Sequence, residues 1–337
     1  MRMLGIETSC DETAAGVVED GRIMMSNVVS SSEALHAQFG GIVPELASRQ
    51  HILALPWVVQ AAIERAGVDW DDLTAIAVTH GPGLAGSLLT GLSYAKGLAF
   101  ARSLPLVPVN HLEGHLYANW LDAPEPEFPA VSLIVSGGHT ALFLVTSHGH
   151  YQQLGATMDD AAGEAFDKVA RLLGLGFPGG PAIQRAAATA ERAGTGYQLP
   201  RARLAGTDNF SFSGLKTATL HLLQRIEQAG DAIPVAEVAA AFQTAVVDVL
   251  VAKTVETAIR HEARCVLLGG GVAANLLLRA ALAERCPAPV RVAPVQLCTD
   301  NGAMIAAAGY FRYLAGDRAP LDLDVTPNLP LATLATS

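Results

Sequence analysis

Short apolar runs rich in β-branched residues alternate with longer runs of helical composition along most of this chain, and many of the short runs end in glycine- or hydroxyl-rich turns. That alternation is the mark of α/β architecture, in which helices cover the faces of a sheet. Residues 3–7 read as a buried first strand, and 13–18 and 22–29 continue it as a meander through an Asp20-Gly21 turn. A helix over 44–66, a strand over 74–79, a helix over 84–102 and a strand over 106–109 follow. Residues 122–129 hold three prolines in eight positions and read as a linker. After it a strand (131–135), a Gly137-Gly138 turn and a return strand (140–146) repeat the opening of the chain. Two lobes with similar strand–turn–strand starts are therefore expected. Helices over 159–174, 181–193, 213–229 and 234–263, a strand over 265–268, and helices from 274 and over 300–314 complete the reading.

At 337 residues the chain exceeds one ordinary core, and its 50% hydrophobic and 16% charged composition suits large buried cores and argues against disorder. The formal net charge of −10 argues against a free-standing nucleic-acid binder, whose affinity comes from neutralising phosphates. Locally, residues 201–225 carry Arg201, Arg203, Lys216 and Arg225 against Asp208, which reads as either a solvated face or a phosphate contact. Cys10, Cys265, Cys286 and Cys298 are scattered, with no C-x-x-C pair, so neither a disulfide framework nor a zinc–thiolate cluster is expected. Without a signal-peptide pattern or an apolar run long enough to span a bilayer, the expectation is a cytoplasmic protein with no membrane contact.

His111-Leu112-Glu113-Gly114-His115 follows the strand ending at Val109 and Asn110, and Asn is among the best helix N-caps. On a helix starting there, the two histidines stand one turn apart on one face, the spacing of a two-histidine metal site. An incidental pair of histidines is the alternative. Zincins place Glu next to the first His, whereas Glu113 lies two residues on, about 200° round the helix and off the metal face. Asp300 in Cys298-Thr299-Asp300-Asn301-Gly302 is a third-ligand candidate, a helix cap being its other reading. Glycine turns at 137–138, 179–180 and 269–271 can bring backbone N–H groups close to a phosphate, which together point to a nucleotide site. The turn Gly81-Pro82-Gly83-Leu84-Ala85-Gly86 matches a dinucleotide fingerprint only in its glycines. No acidic residue follows it before Glu113, so close helix packing explains it better. No P-loop is present. The hydroxyl- and carboxylate-rich run Gly5-Ile6-Glu7-Thr8-Ser9-Cys10-Asp11-Glu12-Thr13 can hold a cation or orient a nucleophile, or be a plain solvent turn.

Together with residues 41–49, Ser136-Gly137-Gly138-His139-Thr140 and Phe210-Ser211-Phe212-Ser213-Gly214-Leu215-Lys216, these motifs resemble the bacterial TsaD family of tRNA N6-adenosine threonylcarbamoyltransferases over about residues 3–315. Beyond about 316 the sequence carries no motif of its own. The resemblance implies an actin-like ATPase fold (the ASKHA group of sugar kinases, Hsp70 and actin). It has two RNase-H-like lobes and the site in the cleft between them. One lobe would take 1–108 and about 303–337, the other 109–302. It implies an acyltransferase moving threonylcarbamoyl from threonylcarbamoyl-AMP to N6 of the adenosine just 3′ of the anticodon, in tRNAs reading codons that begin with adenine. It implies one metal ion, iron(II) ahead of zinc, on His111, His115 and Asp300. The donor, or an ATP- or AMP-type nucleotide in the same site, would lie on Ile134, Val135, Ser136, Gly137, Gly138, Asp167, Gly180 and Asn275. Asp11 matches an acidic residue of the active site and is the candidate for orienting or deprotonating the incoming amine. The implied partners are tRNA, a TsaB-like paralogue and a TsaE-like ATPase, with a separate synthase making the donor. One departure is visible: Ala273 stands where many members have Ser. A metal-dependent glycoprotein endopeptidase, the family's older assignment, and an ATP-binding kinase-like protein of the same fold are the alternatives.

Overall fold

A computed structural model describes residues 1–191, 196–202, 204 and 206–331. The chain forms two compact units. The first comprises Met1–Pro126, Val145–Gln152 and the chain from Ala293 onward, and the second Glu127–Leu144 and Gln153–Val292. The first crossing falls in the proline-rich linker. The boundary expected at 108/109 therefore differs from the observed one. Residues 109–126 and Asp300 belong to the unit of the N-terminal sheet, because the helix carrying the histidines continues that sheet's last strand without a break.

In the first unit β1 (Arg2–Glu7), β2 (Glu12–Glu19) and β3 (Ile23–Ser31) form the expected meander. A short α1 (Glu33–Ala37) and long α2 (Pro44–Ala66) lead to β4 (Ala75–Gly81), α3 (Ala85–Arg102), β5 (Leu106–Asn110) and α4 (His111–Tyr117). The sheet order is β3-β2-β1-β4-β5, with β4 parallel to β1 and to β5. After the linker, β6 (Ala130–Val135), β7 (Thr140–Ser147) and β8 (His150–Ala156), whose 145–152 hairpin end belongs to the first unit, precede four helices of the second: α5 (Ala162–Leu172), α6 (Gly179–Ala187), α7 (Ser213–Gln228) and α8 (Val235–Arg260). Then come β9 (Cys265–Gly269), α9 (Leu276–Arg285) and β10 (Val290–Val292), and α10 (Gly302–Leu314) closes the first unit. The second sheet runs β10-β9-β6-β7-β8, with β9 parallel to both β6 and β10. Read outward from its first strand it has the same order as the first, so the repeated strand–turn–strand start reflects a duplicated sheet.

The first core lies between this sheet and α2 and α3, built from Leu4, Ile6, Val17, Leu55, Val58, Val59, Ile76, Val78 and Leu92. On the sheet's other contacts α10 packs against β1, β2 and β4. Its small residues allow that approach: a Cβ at Gly302 would sit 2.2 Å from the Ala15 carbonyl carbon. In the second unit α8 is long and apolar enough to cross a bilayer, contrary to the sequence expectation. However, 72% of its apolar window is buried within the protein, which explains its composition as a core helix. Also unanticipated, residues 319–330 strap the first unit. Ala319 N donates to Leu106 O (2.8 Å), Thr326 N to His80 O (2.8 Å), and Gly83 N to Pro327 O (3.0 Å).

Candidate metal centre

Helix α4 begins where expected. Asn110 is its N-cap, its side-chain oxygen accepting from Leu112 N at 2.9 Å. The Asn110 amide nitrogen donates onward to the Leu329 and Pro330 carbonyls, so the C-terminal strap also holds this cap. His111 and His115 are buried, with ring centroids 4.6 Å apart. Asp300 precedes α10, whose cap is Asn301 accepting from Met304 N (2.9 Å), so Asp300 is not consumed by capping. Asn27 of β3 accepts from Gly302 N and Ala303 N and fixes where that helix starts.

These two anchored helix starts bring Asp300 Oδ1 to 3.2 Å from His115 Nε2 and 3.6 Å from His111 Nε2. All three ligand atoms lie within 4.8 Å of one another. Two ligands on one tetrahedral ion with bonds near 2.1 Å stand about 3.4 Å apart, so the set fits a dication. The chemistry fits as well. Both ring nitrogens of His115 are buried without a hydrogen bond, and its Nε2 faces Asp300 at ion-pair distance without hydrogen-bond geometry. Such a buried polar ring is costly unless something completes it.

Glu113 points elsewhere, as its spacing requires. It is buried, accepts from the Tyr151 hydroxyl (2.8 Å) and pairs with Arg312. Its carboxylate is committed to structure.

The turn between β1 and β2 lies against the same centre. Leu84 N donates to Ser9 O (2.8 Å), while Ser87 Oγ and His51 Nε2 contact Cys10 O. The Gly81–Leu84 turn thus clamps the β1–β2 turn, a role its dinucleotide-like pattern does not disclose. Glu7 ends β1 fully buried, its Oε2 3.0 Å from His111 Nδ1 and accepting from Thr79 Oγ1 at 2.6 Å. Burial opposes its charge, but His111 and Thr79 hold it below the ordinary carboxylate value. Burial also pulls His111 down, yet Asp300 and Glu7 outweigh it and push the imidazole up to about 9. Asp11 is raised by burial and by Asp300. Burial, with Asp11 and Asp300 as like charges, pushes Glu12 up to about 8, and its Oε2 is buried without a partner. Sequence reasoning does not single out Glu7 or Glu12. The available signal is a carboxylate ending an otherwise apolar, buried strand.

The residues implied for the donor lie in the second unit. Ile134 and Val135 end β6 in the core. Ser136 N donates to His139 O (2.8 Å), closing a turn in which Gly137 and Gly138 are exposed and have open space where a Cβ would be. Gly163 N, at the start of α5, donates to Ser136 O (3.2 Å). Asp167 on α5 accepts from Gly179 N (2.7 Å), which sets the start of α6 and with it Gly180. Gly270 has φ +90°, and a Cβ there would lie 2.4 Å from Val135 O, so only glycine lets this turn abut β6. That turn leads to Asn275, which caps α9 through Leu278 N (3.0 Å) and donates to Gln243 Oε1 (2.9 Å). These residues thus stand at one strand end and on or at the start of helices α5, α6 and α9, each fixed by its own local contacts.

The basic stretch resolves unevenly. Arg201 is paired with Asp248 (3.0 Å), Arg203 lies outside the described residues, and among the described residues Lys216 and Arg225 form no ion pair. Phe210–Ser213 anchors the start of α7, where Asp159 accepts from the Ser211 and Ser213 hydroxyls (2.6 Å each) and from Phe212 N (2.8 Å). All four cysteines are free.

Two sheets of one order identify the class: an α/β protein of actin-like ATPase fold, here carrying a His-His-Asp cluster. Solved structures agree on the fold. A dehydratase component A, from the (R)-2-hydroxyglutaryl-CoA dehydratase of Acidaminococcus fermentans, has a TM-score of 0.56 at 15% identity, over 94% of this chain and 99% of that one. HypF of T. kodakarensis gives 0.59 at 15% identity, over 94% of this chain and 48% of that one. The family profile described as "TsaD: tRNA N6-adenosine threonylcarbamoyltransferase" matches residues 23–307, and the chain belongs to that family. Proteins named tRNA N6-adenosine threonylcarbamoyltransferase are similar over nearly full length. That of Thermomicrobium roseum is 55% identical, over 99% of this chain and 98% of its own, and that of Geobacillus kaustophilus 53%, over 98% and 96%.

Proposed function

We propose that the chain transfers threonylcarbamoyl from threonylcarbamoyl-AMP to N6 of the adenosine 3′ of the anticodon. The observation that carries this reading, beside family membership, is the His111–His115–Asp300 cluster, its histidines buried and its aspartate half-buried, with Glu113 withdrawn from it. The withdrawal also counts against a zincin-type endopeptidase, in which the Glu on the histidine helix is the base at the metal. His111, His115 and Asp300 would hold a dication, iron(II) first and zinc second, which would supply Lewis-acid polarisation and charge neutralisation of donor oxygens.

The donor is a mixed carbamic–phosphoric anhydride, so the chain needs no nucleophile of its own. The adenosine N6 attacks the carbamoyl carbon, the N–C bond forms, the C–O bond to phosphate breaks, and AMP leaves with the electron pair. The exposed Gly137 and Gly138 turn offers backbone N–H groups to donor oxygens. Gly180 at the start of α6 does the same, with Asp167 and Asn275 ordering the neighbouring backbone. Asp11, its carboxyl raised by burial and Asp300, takes the proton that the amine gives up.

The acidic chain meets tRNA through Lys216 and Arg225 together with its partners. The outer faces of α2 and α3 expose Ile52, Leu53, Trp57 and Leu89, an apolar surface suited to a protein partner such as the TsaB-like paralogue. A TsaE-like ATPase and a separate synthase complete the system, and a tRNA substrate with four free thiols fits the cytoplasm. The test is to incubate the chain and its partners with threonylcarbamoyl-AMP and unmodified tRNA, then digest the tRNA and analyse nucleosides by mass spectrometry. Threonylcarbamoyladenosine is expected, and its absence overturns the reading.

A further inference from the structure

The two histidines of the cluster are held very differently. His115 has no hydrogen bond at either ring nitrogen. His111 Nδ1 lies 3.0 Å from both Glu7 Oε2 and Ser9 Oγ. Glu7 is itself held rigidly: Oε2 also accepts from Thr79 Oγ1, and Oε1 accepts from Ser9 N. Thr79 Oγ1 and Ser9 N thus donate to both oxygens of this carboxylate, which favours its ionised, accepting form.

We propose that Glu7 is a positioning residue for the metal site, fixing His111 as its Nδ1–H tautomer so that the Nε2 lone pair faces the point shared with His115 and Asp300. The argument is one of donor and acceptor counting. An ionised carboxylate can only accept, so Nδ1 facing it must carry a proton. With the Nδ1 proton held against the carboxylate, any second proton sits on Nε2 and is the one an ion displaces, which leaves the Nε2 lone pair for the ion. The same carboxylate makes the ring a stronger ligand by drawing on its N–H. Among the described residues no equivalent group serves His115, so the rigidity of the site comes from the His111 side. A glutamine at position 7 would keep the shape and invert the logic. With its carbonyl on Ser9 N, its amide would donate towards Thr79 and His111, turning Nδ1 into the acceptor and protonating Nε2.

This inference rests on the reading that the cluster binds a dication, and the experiment separates the two. Zinc affinity is measured on the metal-stripped full chain by competition with a chromophoric chelator, and the cobalt(II) absorption spectrum is recorded on the same proteins. Wild type should bind one equivalent, and His115→Ala should lose it. Glu7→Gln should bind zinc about 10- to 100-fold more weakly with an altered cobalt spectrum, while its stripped form keeps the wild-type far-UV circular dichroism. Thr79→Val, which keeps the charge but removes one tether, should weaken binding by a smaller factor and serves as the readout should Glu7→Gln not fold. Unchanged affinity and spectrum in whichever variant folds overturn the proposal and leave the metal reading intact. Failure of wild type to bind zinc or cobalt overturns the metal reading itself.

Discussion

The chemistry of this protein turns on carboxylates in unlike surroundings. Glu7 is surrounded by donors and stays ionised, Glu113 is neutralised by Arg312, and Glu12 faces Asp11 and Asp300 as like charges. Burial and those like charges push Glu12 up to about 8. Its folded value then exceeds the unfolded one of about 4.3, so between those values the folded state binds more protons and stability falls as pH rises. In metal-stripped protein, Glu12→Gln should remove that slope. Relative to wild type the variant should gain stability from pH 5 to pH 8 in urea denaturation, and a constant difference across that range would contradict the assignment. None of this is legible from the run Glu7–Glu12 as letters. Which carboxylate is paired depends on Thr79, His111 and Asp300, which are remote in sequence.

At the scale of elements, the site depends on two helix starts and what anchors them. The starts are readable in the chain, since Asn110 and Asn301 are strong caps before helical runs. So are most strands, whose apolar residues are continuous. Strand β8 is not, because His150, Gln152 and Gln153 break any apolar pattern. The strap over 319–330 is not either, because it binds largely through backbone groups, which leave no side-chain signature. That strap makes Asn110 more than a cap. Asn110→Ala removes the bond to Leu112 N and both bonds to the tail, and should cost about 2 kcal/mol, the upper end for a lost cap, with zinc affinity falling in parallel. Gly302→Ala should be worse for the site. Its methyl group would collide with the Ala15–Gly16 backbone, force α10 away from β2 and displace Asp300. Overpacking of this kind costs about 1–3 kcal/mol, readable in the same denaturation experiment.

For the whole molecule, net charge and function pull in opposite directions: a chain of −10 acts on a polyanion. In sequence the basic excess of 201–225 looks like one patch, but Arg201 is spent on Asp248. Lys216 and Arg225 remain as the expected phosphate contacts. Lys216→Glu with Arg225→Glu should weaken tRNA binding and flatten its dependence on salt, by somewhat under one unit of log–log slope per lost contact. An unchanged slope would place the tRNA elsewhere, on the partners or another face. The duplicated sheet is legible as a repeated start, whereas the unit boundary is not, because β5 runs directly into α4 and carries the histidines into the first unit.

The central claim is that the His111–His115–Asp300 cluster serves carbamoyl transfer through a bound dication. It is tested most directly by stripping the protein of metal, adding iron(II) or zinc back stepwise, and measuring the transfer rate to tRNA in the reconstituted system. The rate should be lost on stripping, return in proportion up to one equivalent per chain, and fail to return in His115→Ala. Full transfer by the stripped protein, or by that variant, would contradict the account.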